Sequence, residues 1–268
     1  MSDFLETMAA SSTERAAAVD AASIKGSSLP VVPLRLGGFD VIAEIKDRSP
    51  AEGELASPES DRAGRARQYA AGGAAVISVL TEPSRFAGCL GHLEEVAAAV
   101  PDVPIMRKDF LVDPIQVREA RSAGASGVLL IVNMLTDGVL REMLDTAFDH
   151  EMFVLLEGFD ANDLSRVTML LRESDYGDKA AGGQLLVGVN TRNLRTLHVD
   201  PDRLAELAPL LPAARCVAES GLHTADDAAA VAGLGYRLAL VGTALMRSED
   251  PEALVAAMRE AGRAKVAA

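Results

Sequence analysis

Long hydrophobic runs are missing from this chain. None of its 268 residues falls in a stretch near the roughly 20 apolar residues that a membrane span needs; the best, around Gly127–Leu135 and Leu238–Met246, are far too short. No membrane partner is therefore expected. The N-terminus also lacks a basic segment followed by an apolar core, so no secretory signal is read there. Cysteine is scarce. Cys89 and Cys216 have no metal-ligand spacing, do not suggest an oxidising compartment, and are expected as plain buried thiols. The four histidines, His92, His150, His198 and His223, share no ligand spacing and are expected on surface helices or loops. Positive charge is in deficit: 26 Lys and Arg against 39 Asp and Glu leave a net charge of −13. Such a surface repels nucleic acid and anionic membranes. A soluble cytoplasmic protein is the expectation. The Gly-rich dinucleotide fingerprint is absent as well, since Gly233-Leu-Gly235 precedes a strand rather than following one.

What the chain does have is a hydrophobic fraction of 49%, ample for a sizeable core, and a regular alternation. Short aliphatic runs at about 41–45, 75–80, 103–107, 127–132, 152–157, 185–190, 215–219 and 237–241 read as strands. Segments of helical period lie between them, among them Ser60–Ala71, Leu90–Val100, Ile115–Ala123, Thr136–His150, Ala161–Leu171, Pro201–Leu210 and Thr224–Ala232. A weak repeat, seen in 70–77, 122–129 and 232–239, places a helix end, a Gly suited to the left-handed cap, and then a buried strand. Methionines such as Met143, Met152 and Met169 read as core filler. Eight strand–helix units with near-continuous apolar strands predict a parallel (β/α)8 TIM barrel over 36–268, in a single domain, with a doubly wound sheet as the alternative. Residues 1–35 predict an extra N-terminal helical segment and an extended linker. The polar, Gly-rich stretch 172–184 is expected to be a mobile loop on the rim away from the chemistry.

Polar groups recur at the strand ends. Arg107-Lys-Asp-Phe110 follows the strand 103–106 and precedes a helical run at Asp113-Pro114; Glu44-Ile-Lys46, Glu157, Asn190-Thr-Arg192-Asn193 and Glu219-Ser220-Gly221 end other strands. In a parallel α/β protein the carboxyl ends of the strands carry the active site. Gly221 after the seventh strand, and Gly242-Thr243 after the eighth with a short helical segment at Ala244–Met246, fit the phosphate site that recurs in barrels.

These motifs, in this order, resemble the indole-3-glycerol-phosphate synthase family across about 41–251. The resemblance is carried by Ala43-Glu-Ile-Lys46 with Ser49-Pro50, Ile77-Ser-Val-Leu-Thr81, Arg107-Lys-Asp-Phe110 with Asp113-Pro114, Gly188-Val-Asn-Thr-Arg-Asn-Leu194, Ala218-Glu-Ser-Gly221 and Val241-Gly-Thr-Ala-Leu-Met-Arg247. It implies a carboxy-lyase of tryptophan biosynthesis that converts 1-(2-carboxyphenylamino)-1-deoxyribulose 5-phosphate to indole-3-glycerol phosphate, releasing carbon dioxide and water. It further implies Lys108 as general acid for ring closure and Glu157 as the group assisting dehydration. Lys46 is implied as a second cation and candidate proton donor, with Glu44 balancing the lysines. Asn190 and Arg192 match positions that hold the anthranilate carboxylate, and Glu219 and Ser220 match orienting residues. Ser49 matches a further phosphate ligand beside Gly221, Gly242 and Thr243.

Four departures from the family's usual pattern, at Asp47, Ala51, Gly158-Phe159 and Asn133, are expected on the catalytic rim, with Asn133 as a new polar group beside the aromatic ring. They leave two alternatives open: a paralogue acting on a related or ring-substituted aryl-amino sugar phosphate, and a catalytically weak barrel that binds the phosphate ligand. No metal or organic cofactor is expected. The partner is a small-molecule substrate, and the protein is expected as a monomer or weak homo-oligomer.

Overall fold

The computed structural model describes residues 4–56, 61–192 and 199–268; His198 and Asn193 lie outside them, as does Ser60. Eight parallel strands close into a barrel: β1 Asp40–Ile45, β2 Val76–Leu80, β3 Ile105–Lys108, β4 Gly127–Ile131, β5 Phe153–Gly158, β6 Leu185–Asn190, β7 Arg215–Glu219 and β8 Leu238–Val241. Each strand pairs with its sequence neighbours, and β8 pairs with β1, so the sheet has no free edge. All eight strands lie within two residues of the sequence expectation.

Alternation along each strand divides the core in two. Val41, Ala43 and Ile45 face the surrounding helices, whereas Ile42 joins Val76, Met106, Leu129, Leu155, Leu186, Val217 and Leu238 in a second cluster that fills the barrel. The repeat seen in the sequence has its physical basis here: Gly73, Gly124 and Gly235 all sit at positive φ, between +84° and +107°, where a side chain would be strained. Helices start where their caps place them. Asp113 and Thr224 each close a capping box, with Gln116 and Asp227, on α5 (Pro114–Ser122) and α10 (Ala225–Gly233). A long helix α12, Pro251–Ala267, packs against α10, α2 (Arg62–Ala71) and β1.

The N-terminal segment is helical, as expected: α1 spans Phe4–Ala17 and lies over the mouth of the barrel, burying Leu5, Met8, Ser12 and Ala16. Several expectations need correction. The stretch 172–184 contains a helix, α8, Ser174–Ala181. Its Gly and Asp content hid two anchors one turn apart, Tyr176 and Ala180, both buried. The Tyr176 hydroxyl donates to Asp145, and Lys179 lies 4.9 Å from the Phe148 ring centroid. Cys216 is buried, but Cys89 is exposed at the start of α4, Leu90–Ala99. Met143 and Met152 are core residues, whereas Met169 is 55% exposed on α7, Ala161–Leu170. His150 and His223 are exposed; His92 is half-buried near Asp47 and Arg62, and burial lowers its pKa. No helix among the described residues is long and apolar enough to cross a membrane.

Candidate active site

Strand parity decides which polar groups face the cavity at the carboxyl end of the barrel. Residues two apart point the same way, so Glu44 and Lys46 enter it together, and Lys108 enters while Arg107 does not. All twelve residues singled out from the sequence line this one cavity: Glu44, Lys46, Ser49 and Lys108; Glu157, Asn190, Arg192 and Glu219; Ser220, Gly221, Gly242 and Thr243.

On the cavity floor the charged groups pair, Glu44 with Lys46 along one strand end and Lys108 with carboxyls of other strands. The Lys46 ammonium lies 2.6 Å from Glu44 Oε1. Lys108 Nζ donates to Glu157 Oε2 at 3.0 Å and stands 3.8 Å from Glu219 Oε2. The Asn190 amide donates to Glu157 Oε1 at 2.9 Å, while its carbonyl accepts from Ser220 Oγ and from the Arg192 N–H. Burial by itself would lower the pKa of Lys108, but Glu157, Glu219 and Glu44 outweigh it and raise that pKa above the usual lysine value. Burial, then the like charge of Glu157, push Glu219 well above the ordinary carboxyl range against the opposing pull of Lys108.

Two other walls complete the cavity. On one side are the loops after β7 and β8. Ser220 and Gly221 follow each other at φ +69° and +74°, a left-handed pair that turns the backbone sharply. Gly242 caps α11, Thr243–Arg247, and a Cβ there would fall 2.3 Å from Glu44 Oε1 and 2.7 Å from Lys46 Nζ. The opposite wall is apolar: Phe4, Phe86, Phe110, Leu129 and Ile131. Phe4 meets Phe110 edge to face at 5.9 Å between centroids, and Phe86 stands 6.2 Å from the same ring. This wall was not assigned from the sequence. The available signal was scarcity, since three of only seven phenylalanines gather here.

Arg107 and Asp109 do different work from Lys108. Arg107 turns outward to Thr81 Oγ1, the Gln116 carbonyl and Glu119. Asp109, its side chain fully buried, receives both Nη atoms of Arg15 from α1 at 2.8 Å, with Thr81 Oγ1 and Arg107 as further donors. The N-terminal helix is thereby clamped to the strand end that carries Lys108.

Most of the departures from the family pattern lie off the cavity. Asp47 is held by Arg62 behind the rim. Asn133 is exposed in the 3-10 turn Val132–Met134 and does not line the cavity, which overturns its expected place beside the aromatic ring. The turn at the end of β4 carries this amide out to solvent. Gly158 lies against Asp163, whose carboxylate accepts the Phe159 N–H at 2.9 Å, and the Phe159 side chain is buried in the cluster that fills the barrel. Only Ala51 borders the cavity.

The chain matches the family model described as indole-3-glycerol phosphate synthase over residues 34–258. It is 48% identical over 230 residues to the indole-3-glycerol phosphate synthase of a Nocardioides species, covering 85% of this chain and 83% of that one. To the enzyme of the same name from Mycobacterium tuberculosis it is 40% identical over 270 residues, covering 98% and 94% respectively. Among solved structures, 3-hexulose-6-phosphate synthase from Salmonella typhimurium superposes with a TM-score of 0.64 at 15% identity, over 85% of this chain and 100% of that one, a likeness of fold alone. With a family match over most of its length and relatives at 40–48% identity, this chain belongs to the indole-3-glycerol phosphate synthase family.

Proposed function

We propose that this chain is a carboxy-lyase that closes an indole ring on 1-(2-carboxyphenylamino)-1-deoxyribulose 5-phosphate, releasing carbon dioxide and water, and that the twelve cavity residues carry the reaction. The observation that carries this reading is a lysine ammonium held between two buried carboxyl groups, with an apolar wall on one side and a glycine-lined turn pair on the other. A substrate with an aromatic ring at one end and a phosphate at the other matches those two walls.

Ring closure needs an electrophilic ketone, so a positioned acid must protonate its oxygen as the aromatic carbon attacks. Lys108 takes that role, and the paired Glu157 carboxylate keeps it protonated until then. Glu157 assists the later dehydration, oriented by the Asn190 amide, and Lys46, steadied by Glu44, is the donor to the departing hydroxyl. Asn190 and Arg192 hold the substrate carboxylate, with Glu219 and Ser220 as their neighbours. At the far end, Ser49, Gly221, Gly242 and Thr243 receive the phosphate, where the lack of a side chain at the two glycines lets backbone approach the anion. The Phe4, Phe86 and Phe110 wall takes the anthranilate ring. Residues 1–268 then form one functional domain in which the 1–35 extension completes the site, acting in the cytoplasm as a monomer or weak homo-oligomer.

Incubation of the purified protein with this substrate tests the reading. Product formation is followed by indole fluorescence, which is cleanly visible because the chain contains no tryptophan. Growth of that signal with release of carbon dioxide is expected. A protein that binds the substrate but leaves it unchanged would refute the assignment.

A further inference from the structure

The ring-closure reaction takes up one proton per turnover. The substrate carries a carboxylate and a phosphate, whereas the product keeps only the phosphate, and carbon dioxide and water are neutral. Closure forms the carbon–carbon bond and places a first proton on the ketone oxygen. When carbon dioxide leaves, the electron pair of its bond returns to the aromatic ring, and no proton moves. Dehydration breaks the carbon–oxygen bond and sends a second proton out with the hydroxyl, while one proton comes back from the adjacent C–H as the indole double bond forms. Lys46 and Glu157 balance each other in that last step. The first proton, given by Lys108, is not replaced.

The cavity floor holds a group suited to replacing it. Glu44 pairs with Lys46 and Glu157 with Lys108, which leaves Glu219 the odd carboxyl of three. Its side chain is 1% exposed, no N–H or hydroxyl donor among the described residues reaches either of its oxygens, and its hydrogen-bonding neighbour is another carboxyl, that of Glu157, which a protonated Glu219 can serve as donor. The groups facing it are Lys108 from β3, Glu157 from β5, Glu44 from β1, and Asn190 with Gly188 from β6. Lys108, at 3.8 Å, is beyond hydrogen-bonding distance, and the Asn190 amide and Ser220 hydroxyl are committed elsewhere. A buried ionised carboxylate without donors is costly, and such a group keeps its proton instead. Space is made for it too: a Cβ at Gly188 would fall 1.9 Å from Glu219 Oε1.

We propose that Glu219 is the proton store of the reaction: in the free enzyme it is a neutral carboxylic acid, and it recharges Lys108 after ring closure. The transfer converts a Lys108 amine and a Glu219 carboxylic acid into a Lys108 ammonium and a Glu219 carboxylate, with no other reactant. The enzyme then ends the cycle one proton short and refills from water when product leaves. The direction of the Glu219 pKa, set by burial and Glu157, supports this geometry. The proposal rests on the ring-closure reading above, and its tests separate the two.

Infrared spectroscopy of the free protein at neutral pH should show a carboxylic-acid C=O band that Glu219→Gln removes. Should the Gln variant melt early, Glu219→Asp serves instead and shifts the band. This measurement needs no substrate, so it decides the protonation of Glu219 even if the protein makes no indole product. With excess enzyme, weak buffer and a pH indicator, indole fluorescence in wild type should appear before a proton is taken from the medium. In Glu219→Gln, where Lys108 is recharged only from the medium, proton uptake should no longer lag indole formation, and steady-state turnover with excess substrate should fall roughly 10²-fold. A spectrum with no band that depends on Glu219, or proton uptake in step with indole formation in the wild type, would overturn the proposal.

Discussion

Replacing Arg15 by Ala removes the ion pair that ties the N-terminal helix to the strand end that carries Lys108. Arg15 meets both Asp109 oxygens at 2.8 Å, and the Asp109 side chain is 0% exposed. Breaking a buried pair by deleting one partner costs about 3–5 kcal/mol. Asp109 would still have Thr81 at 2.7 Å, Arg107 at 3.2 Å and the Phe110 N–H at 2.8 Å. Arg15 itself is 25% exposed and screened by water, so the expected loss is nearer ~2 kcal/mol. For a chain of this size that lowers Tm by about 4–8 °C. Burial alone would raise the Asp109 pKa, but Arg15 first, then Arg107 and Thr81, hold it below the ordinary carboxyl value. A depressed carboxyl pKa contributes stability that is present above the unfolded value and lost as pH falls through the folded one. The Tm gap between wild type and variant should therefore be full at neutral pH and shrink on acidification. Activity should drop as well, because Asp109 lies between Lys108 and Phe110, and Phe4 on α1 shares the wall with Phe110. Misplacement of a reacting group by about 1 Å can cost 10²-fold; a fall in kcat of at least roughly tenfold, with a raised KM, is expected. Arg15→Lys, which cannot make the double contact, should fall between the two. Thermal melts at two pH values and steady-state kinetics make the comparison. Unchanged Tm and kcat in Arg15→Ala would refute the clamp and make α1 a mere surface attachment.

Gly242→Val should raise KM and lower kcat together, since its Cβ would collide with the Glu44–Lys46 pair as well as with an approaching phosphate; product titration by calorimetry checks this, and unchanged affinity with a lowered Tm would mark Gly242 as a tight turn only. Glu219→Gln should stabilise the fold increasingly as pH rises. A raised carboxyl pKa means that wild type loses about 1.4 kcal/mol per pH unit between the unfolded and the raised folded value, a slope the variant lacks; an unchanged stability difference between the two across that range would contradict it.

The rim was legible in the sequence because it depends on short-range rules. Strand ends are marked by where aliphatic runs stop, and period-two parity places Glu44 with Lys46 and separates Lys108 from its neighbours. The same parity shows what a reading of Arg107, Lys108 and Asp109 as one cluster overlooks: alternate side chains leave in opposite directions. What escaped is long-range. Phe4 and Arg15 reach the site only because residues 18–39 carry α1 back over the barrel mouth, and that stretch has no periodicity to announce its path. The helix Ser174–Ala181 escaped for another reason: its propensity is poor, and tertiary anchors at Tyr176 and Ala180 override it. Asn133 was misplaced because the chain leaves the strand at Ile131 and enters a 3-10 turn, where strand parity no longer applies.

Single-turnover kinetics of Lys108→Ala against wild type test the central chemistry most directly. With excess enzyme, product release cannot mask the closure step. Loss of the acid should slow indole formation about 10²–10⁴-fold, while substrate affinity, resting on the phosphate end and the apolar wall, stays within about threefold. A Lys108→Ala enzyme that forms indole at more than about a tenth of the wild-type rate would contradict the assignment of Lys108 as the acid that closes the ring.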